Sequence, residues 1–185
     1  RGWQQRRGAH TPHKSKADPM PKTKAQQIMA HRDTRSPEEV TQSILDIAAE
    51  FEPYIIRQRR HFHKHPELSL QEVRTTSDIA GQLDAMNIPY ERPLKTGLVA
   101  TVRGTAPDAY REDGTPRKRL LMRADIDALP VTERTNEEFV SVNEGCMHAC
   151  GHDCHIAMML GALQVLRHMT DDIHGEIRVV FQPSE

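Results

Sequence analysis

The 185 residues carry 25 Lys/Arg against 26 Asp/Glu, a formal charge of −1, which excludes a surface built throughout for nucleic acid or an anionic membrane. A chain of this length can bury the core of one domain with little left for a second. No apolar run approaches the roughly 20 residues needed to span a bilayer, and the three cysteines, Cys146, Cys150 and Cys154, suit a reducing, cytoplasmic compartment rather than a secreted disulfide framework.

Charge is unevenly spread. Residues 1–35 hold nine Lys/Arg against two Asp and are interrupted by Pro12, Pro19 and Pro21. Such a stretch buries too little apolar surface to offset its ordering entropy, so it is expected to be a disordered, solvated basic tail. It lacks the apolar core of a secretory signal, and its lone Trp3 is a poor platform for stacking bases. The chain does not begin with Met, and Met20 and Met29 are candidate starts. The folded domain is expected over 36–185.

Ser36-Pro37-Glu38-Glu39 reads as a helix start: a capping hydroxyl, Pro at the first helical position and acids facing the helix dipole. Val40, Ile44, Ile47, Ala48, Phe51 and Ile55 then recur at helical period, predicting a helix to about His65 with a kink at Pro53. A second helix is predicted from Leu70 to Met86, stopped by Asn87 and Pro89. Leu98–Val102 and Leu120–Ala124 read as strands joined by an exposed hairpin, with a charged, Gly/Pro-containing loop over 104–118. Ile156, Met159, Leu160, Leu163 and Leu166 give a buried helix face between His155 and His168, and Ile177–Phe181 reads as a buried strand ended by Pro183. The expected class is α/β, a layered mixed sheet flanked by helices.

Six of the ten residues from Cys146 to His155 are Cys or His. Thiolate and imidazole together select borderline-soft divalent metals, and Gly151 between Cys150 and His152 lets both turn toward one ion. Two other readings stay open: a Cys-rich start of a buried helix, and a structural zinc site in a binding module without catalysis, although paired C-x-x-C spacing is absent. Asp125 and Asp127 stand at the carboxyl end of a predicted strand, where open α/β sheets place ligand-binding groups, and two acids there call for a cation or an ordinary solvated loop. Glu185 follows another buried strand. Together these ends describe a site of catalytic type, lined by oxygen, nitrogen and sulfur.

Four segments in order, Arg59 to Ser69 (RRHFHKHPELS), Arg123 to Pro130 (RADIDALP), Met147 to Asp153 (MHACGHD) and Phe181 to Glu185 (FQPSE), resemble the signatures of the hippurate hydrolase and N-acyl-amino-acid amidohydrolase family. That family is related to aminoacylase and the carboxypeptidase G clan. The resemblance covers roughly 36–185 and implies part of a metallopeptidase-type catalytic domain acting on a small N-acyl amino acid. It implies a pair of divalent ions, zinc or manganese, with Cys150 and His152 among the ligands, Glu185 as general base, Asp127 orienting a ligand and Asp125 acting less directly. A second acid after Glu185, two later histidines and a smaller second domain are expected beyond residue 185, so these residues alone are expected to hold metal weakly and turn over little. The intact protein is expected to form a homo-oligomer. Cys146 and Cys154 match no ligand position and read as packing residues, while His148 and His155 read as supporting or helix-start residues. Arg59, Arg60, His63 and Pro66-Glu67 suit either contact with substrate or second domain, or a solvated helix end.

Overall fold

The computed structural model describes residues 35–185; the expected basic tail, apart from Arg35, lies outside the described residues. Helix α1, Pro37–Glu50, starts where its capping sequence says. The Ser36 hydroxyl accepts the Glu39 amide at 3.3 Å, and the Glu39 carboxylate accepts the Ser36 amide at 2.7 Å. Arg35 Nη2 donates to both Asp172 oxygens, at 2.6 and 2.7 Å, tying the residue before the Ser36 cap to the segment that precedes the last strand. The expected kink is a full break. Pro53 has no N–H to donate back along the helix, and α1 hands over at Phe51 to a separate helix α2, Glu52–Lys64.

Helix α3, Val73–Met86, begins three residues later than the spacing predicts. Leu70 has φ +63°, outside the helical region, and the Glu67 carboxylate caps the new start by accepting the Arg74 amide at 3.1 Å and the Thr75 amide at 2.7 Å. Asn87 ends the helix in the left-handed conformation, φ +57°. The buried faces of α2, α3 and α4 (His152–His168) meet one side of the sheet through Phe62, Ile79, Leu83, Ile156, Leu160 and Leu163.

Among the described residues the sheet has four strands: β1 (Tyr90–Glu91), β2 (Leu98–Arg103), β3 (Arg119–Asp125) and β4 (Glu176–Gln182), in the order β1-β2-β4-β3. β1 pairs antiparallel with β2 and β2 antiparallel with β4, whereas β3 runs parallel to β4, with Asp125 opposite Gln182. This overturns the hairpin expected between β2 and β3. β4 lies between them, burying Ile177, Val179 and Phe181. A loop of the length of 104–118 exceeds the few residues that set a hairpin register; it carries the chain past the start of β4, with a small turn of its own where the Arg111 amide bonds the Thr115 carbonyl at 2.9 Å. The other side of β3 bonds no strand among the described residues and leaves Leu120 and Leu121 exposed.

The crossing is tight. The Gly104 amide donates to the Gly175 carbonyl at 2.8 Å, and a Cβ on Gly104 would fall 1.8 Å from the Ile173 carbonyl oxygen. Gly104→Ala is therefore expected to destabilise the fold by about 2 kcal/mol or more, since backbone rather than a flexible side chain must yield. A urea midpoint equal to that of the parent chain would contradict this.

Candidate active site

Parallel pairing of β3 with β4 brings the carboxyl ends of both strands to one edge, and α4 starts above that edge. The Ile126 amide continues the ladder onto the Gln182 carbonyl at 3.0 Å, while the Ile126 side chain is buried in the core. Side chains alternate along extended backbone, so Asp125 and Asp127 share the opposite face, and both are buried.

His152, the first residue of α4, is the hub of this edge. Its Nδ1 lies 2.9 Å from the Asp127 carbonyl oxygen. A carbonyl can only accept, so Nδ1 carries a proton, and Nε2 is the nitrogen turned toward the acids. That nitrogen is 3.0 Å from Glu185 Oε2 and 3.7 Å from Asp125 Oδ1. His155 lies one helical turn further on; its ring stacks on that of His152 at 5.7 Å, and its Nδ1 is 2.5 Å from Asp125 Oδ1. Arg123 spans the carboxylates, 3.3 Å from Glu185 Oε1 and 3.5 Å from Asp125 Oδ2.

The acids are tuned to stay ionised. Burial works to raise the Asp125 pKa, but the His155 hydrogen bond and the charges of His152, His155 and Arg123 outweigh it and hold the carboxyl below its usual range. For Asp127 burial is likewise outweighed, by the Ser69 hydroxyl at 2.6 Å, the Glu185 amide, its own amide and His152. Because both folded pKa values lie below the ordinary value of 3.8, these groups contribute stability that is present above about pH 4 and lost as the pH falls through the folded values.

The donor set fits a divalent metal. Asp125, His152 and His155 each offer an atom within 4.8 Å of the others, and the buried Asp127 Oδ1 has no hydrogen-bond partner. Of the five residues singled out in the sequence, Asp125, Asp127, His152 and Glu185 come together. Cys150 is exposed and does not join that cluster, although Gly151 turns the chain with φ +88° between it and His152. Cys146 is buried and Cys154 half-buried, consistent with packing roles. His148 is buried with both ring nitrogens unbonded, and desolvation pushes its pKa down to about 4, so it is neutral near pH 7.

Sequence reasoning gave His155 only a supporting or helix-start role and passed over Arg123. His155 sits at the i+3 position from His152, a spacing that puts two residues on one helix face. Arg123 is two residues before Asp125 on a strand and so shares its face. A second, buried network braces the helix start from behind: Asp153 takes His63 Nδ1 at 2.7 Å and Arg59 Nε at 3.0 Å, and Glu133 takes His63 Nε2 at 3.0 Å. The Arg59 and Arg60 guanidinium groups lie over the Phe139 ring at 4.8 and 5.2 Å. Thus His63 and Arg59 serve as internal braces of α4. Asp153→Asn should weaken bonds to two charged or polar partners and cost about 2 kcal/mol of stability, read as a lowered urea midpoint.

Residues 121–185 match the model of Peptidase family M20/M25/M40. The chain is 42% identical over 140 residues to the N-acetylcysteine deacetylase of Bacillus subtilis (strain 168), covering 73% of this chain and 34% of that protein. It is 42% identical over 132 residues to the N-acyl-L-amino acid amidohydrolase of Geobacillus stearothermophilus, covering 71% of this chain and 33% of that protein. Among solved structures, a dinuclear metal-binding peptidase of the M20 family from Bacillus subtilis superposes with a TM-score of 0.66 at 41% identity, covering 74% of this chain and 36% of that one. The chain spans about a third of the length of the curated relatives it matches. No described helix is long and apolar enough to cross a membrane.

Proposed function

Over the residues it shares with these relatives the chain belongs to Peptidase family M20/M25/M40, and from that premise we propose that the whole protein is a metal-dependent amidohydrolase that cleaves N-acyl amino acids. The observation that carries the reading is the approach of Glu185 Oε2 to within 3.0 Å of His152 Nε2 at the shared end of two parallel strands. A proton acceptor thereby stands beside a metal-binding nitrogen, which is what hydrolysis of an unactivated amide requires.

In this reading His152 is a metal ligand through Nε2, with its ring orientation fixed by the Asp127 carbonyl and the Asp127 carboxylate beside it. Cys150 is assigned as the thiolate donor on the exposed side of the helix start, and its softness favours zinc over manganese. A pair of divalent ions supplies Lewis-acid polarisation of the scissile carbonyl and of the attacking water. Glu185 accepts a proton from that water as its oxygen bonds the acyl carbon. Glu185 then delivers the proton to the amide nitrogen as the C–N bond breaks, giving a carboxylic acid and a free amino acid. Arg123 keeps the Glu185 carboxylate facing the site. The complete ligand set, and with it efficient turnover, belongs to the whole protein.

The two relatives named for N-acyl substrates support this substrate class, and the solved structure named as dinuclear supports two ions. The alternative, a structural Cys/His zinc module, gains nothing from the donor cluster, which contains no cysteine among the described residues and does include a strand-end acid. The test is hydrolysis of a panel of N-acyl amino acids by the full-length protein before and after chelation. Loss on chelation with recovery on adding zinc or manganese is expected; a panel left untouched, or turnover indifferent to chelator, would overturn the reading.

A further inference from the structure

The turn that delivers Glu185 is held from outside the sheet. The last strand residue is Gln182, Pro183 offers no N–H, and Ser184 adopts φ +57°, a left-handed conformation that costs a non-glycine residue roughly 1–2 kcal/mol. Such a turn keeps one shape only where its surroundings impose it. Its first available amide, that of Ser184, donates at 2.9 Å to Oε1 of Glu72.

Glu72 is 0% exposed, and its other oxygen, Oε2, has no hydrogen-bond partner. A buried carboxylate using only part of its accepting capacity is a poor packing residue, since an apolar side chain would fill the space at less cost. Its own backbone is fixed at the start of α3: the Glu72 carbonyl accepts the Thr76 amide at 3.0 Å and the Thr76 hydroxyl at 2.6 Å, and that hydroxyl accepts the Gly97 amide at 2.8 Å. Three residues earlier Ser69 donates to Asp127 Oδ2 at 2.6 Å. One short segment therefore reaches the site twice, at the turn that carries Glu185 and at the acid behind His152.

We propose that Glu72 is a positioning residue, whose buried carboxylate holds the Ser184 amide and so sets the turn that aims Glu185 at His152. The proposal rests on the reading of Glu185 as the base. In the full-length, metal-loaded protein Glu72→Ala is expected to lower kcat about 100-fold, the effect of misplacing a reacting group by about 1 Å, with KM within about threefold. Metal content stays unchanged, and the Ser184 amide exchanges with solvent at least about tenfold faster as its bond is lost. Glu72→Gln keeps an acceptor oxygen and should retain kcat within about threefold, whereas Glu72→Asp, one methylene too short, should resemble Ala. Should the Ala variant not fold, the Gln and Asp pair decides.

The proposal is overturned if Ala or Asp keeps parent kcat, if Gln is no better than Ala, or if the Ser184 exchange rate is unmoved. A fall in kcat accompanied by an equal loss of bound metal overturns it as well. A parent protein that hydrolyses no N-acyl amino acid defeats the functional reading alone, because Ser184 exchange still tests the anchor.

Discussion

Glu185→Gln in the full-length protein is expected to cut kcat for N-acyl amino acids by about 10²- to 10⁴-fold, the usual contribution of a positioned general base, while metal content stays at the parent level. The side chain lies 3.0 Å from His152 Nε2 and 3.3 Å from Arg123, so Gln fills the same space with a carbonyl oxygen toward either partner. What it loses is the capacity to take and return a proton. Because Glu185 is half-exposed at the end of a turn, its replacement should leave the urea midpoint nearly unchanged. Turnover within tenfold of the parent would remove Glu185 from the mechanism. Metal lost together with activity would make it a ligand instead.

How much of this was legible in sequence depends on the range of the forces involved. The start of α1 is written in Ser36, Pro37 and Glu39, all local, and in the structure the expected capping hydroxyl is answered by the Glu39 carboxylate to close a capping box. Pro53 and Asn87 mark helix ends for equally local reasons, a missing N–H and tolerance of positive φ. The partner of β3 was not legible. Two short apolar runs with a loop between them look alike whether they pair directly or admit a third strand, and only burial of Ile177, Val179 and Phe181 on β4 decides it.

The site follows the same division. Asp125, Asp127, His152 and Glu185 were readable as residue types at element ends, but their meeting depends on the parallel register that sets Asp125 opposite Gln182. His155 was within reach of helical spacing. Glu72 was not, since 112 positions separate it from the amide it holds. Cys150 is marked by the family resemblance alone, and its exposed place before α4 sets it apart from the cluster that Asp125, His152 and His155 form.

That contrast gives the second large effect. His152→Ala is expected to weaken divalent-metal binding by more than about 100-fold and to remove hydrolysis with it, because disturbing even residues behind a ligand costs 10- to 100-fold. No neighbour can replace the imidazole. Its Nδ1 is held by the Asp127 carbonyl, its Nε2 lies 3.0 Å from Glu185 and 3.7 Å from Asp125, and the His155 ring packs against its face rather than into its place. Removing it also leaves Asp125, Asp127 and Glu185 with less compensating charge, so the alanine variant's acids repel one another where the parent's are bridged. Metal titration by calorimetry, run beside Glu185→Gln, separates the two roles: the glutamine variant binds and does not turn over, and the alanine variant does neither. An alanine variant that binds zinc and manganese within threefold of the parent would show that the ions sit elsewhere, and the proton acceptor would then have no metal beside it.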